Sequence, residues 1–160
     1  MASNVHIKID GIDGESQDKN HGKEIDVLAW SHGMSQSASF HMGSGGGHGK
    51  VNVQDLSFTH PVDSSSTKLI AACLSGEHIA KAVLTVTKAG GKDPLDFWKF
   101  TMEQVIVSSV SNGGAQGEEA HTENVTLNFA KVKFEYFVQD EKGVGKAAGN
   151  ATWNIPANSQ

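Results

Sequence analysis

Arginine is absent from this chain of 160 residues: all 13 basic side chains are lysines. Arginine is the usual residue for bidentate recognition of phosphate, carboxylate and guanine. Its absence, with a formal charge of 13 − 18 = −5, argues against a nucleic-acid reader, a phosphate clamp or an arginine-finger enzyme. Cysteine is nearly absent too. The single Cys73 has no partner for an intrachain disulfide, and its apolar setting, Leu69 to Leu74, reads as that of a buried small hydrophobe. No run approaches 18 consecutive apolar residues, so no transmembrane helix is expected. The first residues hold no apolar run of seven, so no Sec-type signal peptide is expected either. These absences point to folding in a reducing cytoplasm and leave open export of the folded protein. Apolar residues make up 38%, and the 18 glycines raise this to about 49%, ordinary for a globular protein. The length fits one domain over residues 1–160.

Strand signals dominate. Val5, Ile7 and Ile9 alternate with polar residues, and Gly11 and Gly14 mark a turn. Residues 25–34 form a mixed apolar stretch. Alternation there predicts Ser31, Gly33, Ser35 and Ser37 on a watery face, with Trp30, His32 and Met34 on a core face. A short strand runs from Val51 to Phe58. Further on, Ala80, Ala82, Leu84 and Val86 share one phase, as do Trp98, Phe100, Met102 and Ile106. Between 123 and 139 the apolar positions change from odd (Val125, Leu127, Phe129) to even (Val132, Phe134, Tyr136), which predicts a β-bulge near Ala130-Lys131. Ala151, Trp153 and Ile155 predict a last short strand.

One helix is expected. Ser64 to Thr67 offer caps, Leu69, Ile70, Ala72 and Cys73 share a helical face, and Gly76 is a natural stop. The fold class is therefore mainly β: a single β-barrel of two packed sheets with one flanking α-helix. Two loops stand out, both expected to be exposed. Residues 43–49 carry five glycines in seven, and Ser111 to Glu123 hold Gly113, Gly114 and Gly117 with Glu118, Glu119 and Glu123.

Catalytic readings fail on their own terms. Gly49-Lys50 invites a phosphate loop, but Ser44 stands where its first glycine belongs and Val51 where its hydroxyl belongs. No nucleophile elbow and no Cys/His cluster occur. The eight histidines lack ligand spacing and read as surface residues, and Glu118-Glu119 reads as a solvated pair. No cofactor or metal is expected. A small barrel lined by Trp30, Trp98, Phe100 and Trp153 and binding an apolar ligand remains an alternative.

The motifs carry a further message. Glu24 to Ser37, with the run Trp30-Ser31-His32-Gly33-Met34-Ser35, precedes the glycine loop and Val51-Asn52-Val53-Gln54-Asp55-Leu56-Ser57-Phe58-Thr59. Lys88 to Gly91, Val107 to Ser111 and Thr122 to Ala130 follow in order. Together they closely resemble the haemolysin-coregulated protein (Hcp) family over essentially the whole chain. The resemblance implies a β-barrel with a flanking helix, similar to phage tail-tube proteins, that assembles as homohexameric rings. The rings would stack into the inner tube of the bacterial type VI secretion system, within a contractile sheath and behind a VgrG spike. They would also carry and chaperone effector proteins in the lumen. It further implies a bacterial cytoplasmic protein delivered to the medium or a target cell, with no catalytic site, no nucleic-acid partner and no membrane insertion. By the same resemblance, Gly43, Ser44, Gly45, Gly46, Gly47, His48, Gly49 and Lys50 form a loop that contacts the next subunit or ring. The small residues Ser31, Gly33, Ser35 and Ser37 are expected to face the lumen and its cargo.

Overall fold

Alternating apolar residues form strands here because one face of each can be buried while every backbone group finds a ladder partner. A computed structural model describes residues 3–37, 50–88 and 93–160. Its elements are β1 (Ser3–Ile9), β2 (Ile25–Asp26), β3 (Ala29–Ser31), β4 (Met34–Ser35), β5 (Asn52–Val53) and β6 (Leu56–Pro61). They continue with α1 (Ser66–Ser75), β7 (Ile79–Lys88), β8 (Leu95–Gly113), β9 (Thr122–Gln139) and β10 (Gly145–Asn154). The mainly β class with one flanking helix stands. The two sheets are unequal: eight antiparallel strands in the order β2-β1-β7-β8-β9-β6-β3, with β10 also on β9, and the small pair β4-β5.

The large sheet curls until its ends meet. Segment 25–31 pairs with β1 through Ile25 and Asp26 and with β6 through Ala29, Trp30 and Ser31. Between them, Val27 N–H donates to Val5 O and Leu28 N–H to Thr59 O, at 2.9 and 2.8 Å. One stretch of chain thus joins the β1 and β6 edges, while β10, paired only with β9 among the described residues, keeps an open edge.

The core lies inside the curl. Ile7, Leu56, Leu84, Met102, Val105, Val125 and Leu127 are fully buried, joined by Phe58 and Phe100. His32, Phe100, Phe129 and Phe134 pack with ring centroids 4.6–5.9 Å apart. Trp98 and Trp153 lie at the margin of this core and Trp30 is 37% exposed. The interior is therefore filled by side chains, and the four aromatics of the ligand-binding alternative do not surround a common cavity.

The helix follows its sequence. Leu69 and Ala72 are its buried apolar residues, and Gly76 caps it with φ 68°, a left-handed turn in which a side chain would be strained. Asp63 Oδ1 accepts from the Ser65 backbone N–H at 2.8 Å, although Ser65 itself makes no side-chain cap.

Five expectations need correction. Residues 25–34 do not form one strand, since β3 stops at Ser31 and β4 starts at Met34, and the strand expected from Val51 to Phe58 is two, β5 and β6, in different sheets. The phase change near Ala130 is real, but the register is unbroken there, with Met102↔Val132, Glu103↔Lys131 and Val105↔Phe129. All three neighbouring strands skip together, from Ala82 to Ile79, Met102 to Val105 and Val132 to Phe129. Gln104, at φ 55°, marks the line. The β8 bulge against β9 lies instead between Val107 and Ser109. Residues 111–113 and 122–123 belong to strands rather than a loop, and β10 begins six residues before Ala151, at Gly145.

Candidate functional surface

Cross-strand register assembles a surface that no local motif encodes. On β6, Leu56, Phe58 and His60 point inward, so Ser57 and Thr59 point outward. On β9, Val125 and Leu127 are buried, so Asn124, Thr126 and Asn128 face the same way. Ser31 of β3 pairs with Ser57, Ser57 with Thr126, and Thr126 with Ser109 of β8. This rung of four hydroxyls crosses four strands. Ser109 Oγ donates to Thr126 Oγ1 at 3.1 Å, and the Thr126 and Ser57 hydroxyls lie 3.4 Å apart. The next rung runs Ala29, Thr59, Asn124, Ser111, with Thr59 donating to Asn124 Oδ1.

The bulge at Ser108 belongs to this surface. The extra residue lets Val107 stay in the core while the hydroxyls of both Ser108 and Ser109 turn outward. Ser108 Oγ donates to Asp55 Oδ2 at 3.0 Å, and Asn128 Nδ2 to Asp55 Oδ1 at 2.8 Å. Asp55 lies beside the two rungs with both its oxygens engaged. The rungs themselves are small-grained, polar and uncharged.

The expected lumen residues divide. Ser31 lies on this face. Gly33 lies between the two sheets' strands, where a Cβ would come 3.0 Å from Gln54 Oε1. Ser35 is exposed but belongs to the small β4-β5 sheet, paired with Asn52, and Ser37 is exposed beyond it. The opposite face is not a continuous core either, since Met34 is 54% exposed and only His32 packs inward. Of the glycine-loop residues, Gly43, Ser44, Gly45, Gly46, Gly47, His48 and Gly49 lie outside the described residues, and Lys50 is exposed. Sequence reasoning missed Ser57, Thr59, Asn124, Thr126, Ser109 and Ser111. Their alternation was visible, but only the apolar phase of those strands was read.

The histidines also need correction, because several are not at the surface. His6, His21 and His60 are buried. His60 Nε2 donates to Glu123 Oε1 at 2.9 Å, both side chains being fully buried. Glu123 is thus no solvated loop carboxylate. Among the described residues no group of three His, Cys, Asp or Glu side chains is placed to hold a metal ion.

His32 sits among Phe100, Phe129 and Phe134, with Nε2 buried and unpartnered. Burial lowers its pKa below 6.5, outweighing the hydrogen bond to the Gln54 backbone. A histidine depressed in the folded state binds its proton more tightly when unfolded. Its contribution is therefore intact above about pH 6.5 and falls away as the pH drops below that. His32→Phe is expected to flatten the loss of stability between about pH 6.5 and 5. Denaturant melts at both pH values check this, and an unchanged pH slope would refute it.

The chain matches the family described as "Type VI secretion system effector, Hcp" over residues 6–136. It is 54% identical to "Protein hcp1" of Pseudomonas aeruginosa, covering 100% of this chain and 99% of that one. Among solved structures it is similar to Hcp1 from Salmonella typhimurium, with 41% identity, 99% of each chain covered and a TM-score of 0.80. A second structure, that of a type six secretion system protein, gives a TM-score of 0.91 at 29% identity, again over 99% of each chain. Identity at this level over the full length, on a matching backbone, leaves one conclusion: the chain belongs to the Hcp family of type VI secretion proteins.

Proposed function

We propose that this protein is a non-catalytic subunit of the type VI inner tube. Six copies form a ring, rings stack behind a VgrG spike within the contractile sheath, and sheath contraction drives them out of the cell. Ring lumens carry and chaperone effectors on the way. The observation that carries this reading is the full-length likeness to Hcp1 proteins. The hydroxyl and amide face supports it. A lumen wall must let folded cargo bind weakly and move, and a neutral surface without large apolar patches suits that task. Leu28, Trp30 and Met34 are exposed apolar side chains on one segment, suited to burial against another copy. Ser31 takes the cargo-facing role with Ser57, Thr126 and Ser109, while Gly33, Ser35 and Ser37, first expected there, lie off that face; Gly43 to Lys50 take the role of contacting a neighbouring subunit or ring.

Light scattering after size exclusion tests the assembly. The expected particle has the mass of six 17.0 kDa chains. It is also expected to persist in moderate salt. Any charged contact between copies must use lysine or histidine, since arginine is absent, and exposed lysine pairs contribute only about 0–1 kcal/mol each. Among the described residues the one lysine ion pair is Lys133 with Glu135, at 3.8 Å. A monomer at every concentration would overturn the ring, and dissociation in moderate salt would overturn the apolar and backbone character of its contacts.

A further inference from the structure

The segment between β1 and β2 has no helix and only one isolated bridge, yet its two arms are bonded to each other at several points. Gly14 N–H donates to Lys23 O at 2.8 Å, Ser16 N–H to Glu24 O at 2.9 Å, and Lys23 N–H to Ser16 O at 2.9 Å. Its two arms touch so closely that a Cβ on Gly14 would lie 2.5 Å from Glu24 O. At the end of this small loop stands His21, buried, with a carboxylate on each ring nitrogen. Nδ1 is 2.8 Å from Glu24 Oε2 and Nε2 is 3.0 Å from Asp96 Oδ1.

Ionised carboxylates only accept hydrogen bonds, so both imidazole nitrogens must donate and the ring must be a cation. Asp96 lies at the start of β8 and is itself fixed by the Thr87 hydroxyl of β7, at 2.6 Å. Flat against the His21 ring lies His6 of β1, with centroids 4.9 Å apart and planes 10° apart. His6 Nε2 is in turn 3.2 Å from Asp26 of β2.

We propose that protonated His21 is a clasp fastening segment 10–24 to the start of β8, and that loss of its proton releases the segment. A neutral imidazole keeps one N–H. Its other nitrogen then presents a lone pair to a carboxylate, so one anchor of the clasp turns from attractive to repulsive. The charged and titratable groups around the ring come from five elements. They are His6 and Lys8 on β1, Asp10, Asp18 and Glu24 on the segment, Asp26 on β2, Lys81 on β7, and Asp96 and Lys99 on β8. Burial works against the His21 cation, but the hydrogen bonds and charges of Asp96 and Glu24 outweigh it, and the pKa is raised above 6.5. A histidine raised in the folded state stabilises fully below about pH 6.5, and that contribution is lost as the pH rises through its folded value. The clasp does not depend on the tube reading and would operate in a single copy.

Nitrogen NMR of the histidine rings and amide exchange test it together. Both His21 nitrogens are expected to carry protons at about pH 6, below the ordinary histidine value. Once His21 deprotonates, protection of the Gly14, Ser16 and Lys23 amides, corrected for base-catalysed exchange, is expected to fall by up to about tenfold per pH unit. Amides of Val105 and Leu127 in the barrel core are expected to stay protected. Asp96→Asn removes one carboxylate, so the loss is expected to begin at a lower pH, with the far-UV dichroism confirming that the barrel is intact. A bare ring nitrogen on His21 at about pH 6 overturns the clasp. So does protection of the three loop amides that stays flat to about pH 9 in the native protein.

Discussion

Glu123→Ala is expected to destabilise the fold by about 2–4 kcal/mol, the cost of leaving a buried donor without its acceptor and of the cavity left behind. Glu123 is fully buried on the inner face of β9 and sits in register with His60 of β6 and Asn112 of β8. Oε1 accepts from His60 Nε2 at 2.9 Å and Oε2 accepts from Asn112 Nδ2. The three side chains form a polar rung through three strands. Asp63, just before the helix, lies 3.8 Å from His60 Nδ1 at its far end. Alanine leaves the buried His60 N–H without an acceptor and opens a cavity, while the exposed Asn112 amide can turn to water. At about 2–4 °C per kcal/mol for a chain of this size, the midpoint of thermal unfolding should fall on the order of 10 °C. Glu123→Gln fills the same volume and can still accept one hydrogen bond, so a smaller loss is expected. Thermal and denaturant melts of both variants check this. An alanine variant within about 1 kcal/mol of the native protein would show that the rung contributes no more than an ordinary surface contact.

The rung also shows what the sequence could and could not disclose. Helix α1 was legible because its signals are local: apolar spacing at Leu69 and Ala72, and a glycine at 76 that takes the left-handed turn. Strand β7 was legible in its apolar phase, yet Thr85 and Thr87 on the other phase are buried as well. Period-two alternation tells which residues share a face and says nothing about what covers that face. The same gap explains segment 29–35, where both phases are part polar and neither dominates. Pairing with β6 fixed Ala29 to Ser31, pairing with β5 fixed Met34 and Ser35, and the chain broke between them. Histidine burial was invisible for a related reason. His21 is stabilised inside by Asp96, 75 residues away, and His60 by Glu123, 63 residues away. Composition places carboxylates in the chain but cannot place them beside a ring. The serine face was half legible, since Ser31 was found and its rung partners Ser57, Thr126 and Ser109 come from strands far along the chain.

That rung gives the second large effect. If the proposed tube reading holds, Ser31→Gln and Ser109→Gln, at the two ends of that rung, are expected to reduce effector retention by tenfold or more while leaving the ring assembled. Both residues are exposed, so the folding cost should stay within about 0.5 kcal/mol. Each change replaces a short hydroxyl with a longer, flexible amide that must be ordered, at about 0.5–1.5 kcal/mol per side chain, whenever cargo lies against it. In the proposed ring of six, repetition would multiply that cost and narrow the opening at six places. The native protein and both variants would be co-expressed with type VI effectors of the same bacterium. Effector recovered per ring would then be measured, with light scattering to confirm the mass of six 17.0 kDa chains. Thr67→Gln serves as the control, because Thr67 is exposed on α1 and outside the serine face. Unchanged retention in intact rings would remove these serines from the cargo-facing wall. Rings that fall apart only in the Ser31 or Ser109 variant would move that end of the rung to the contact between subunits, since a face that seals two copies together cannot also line the space between six.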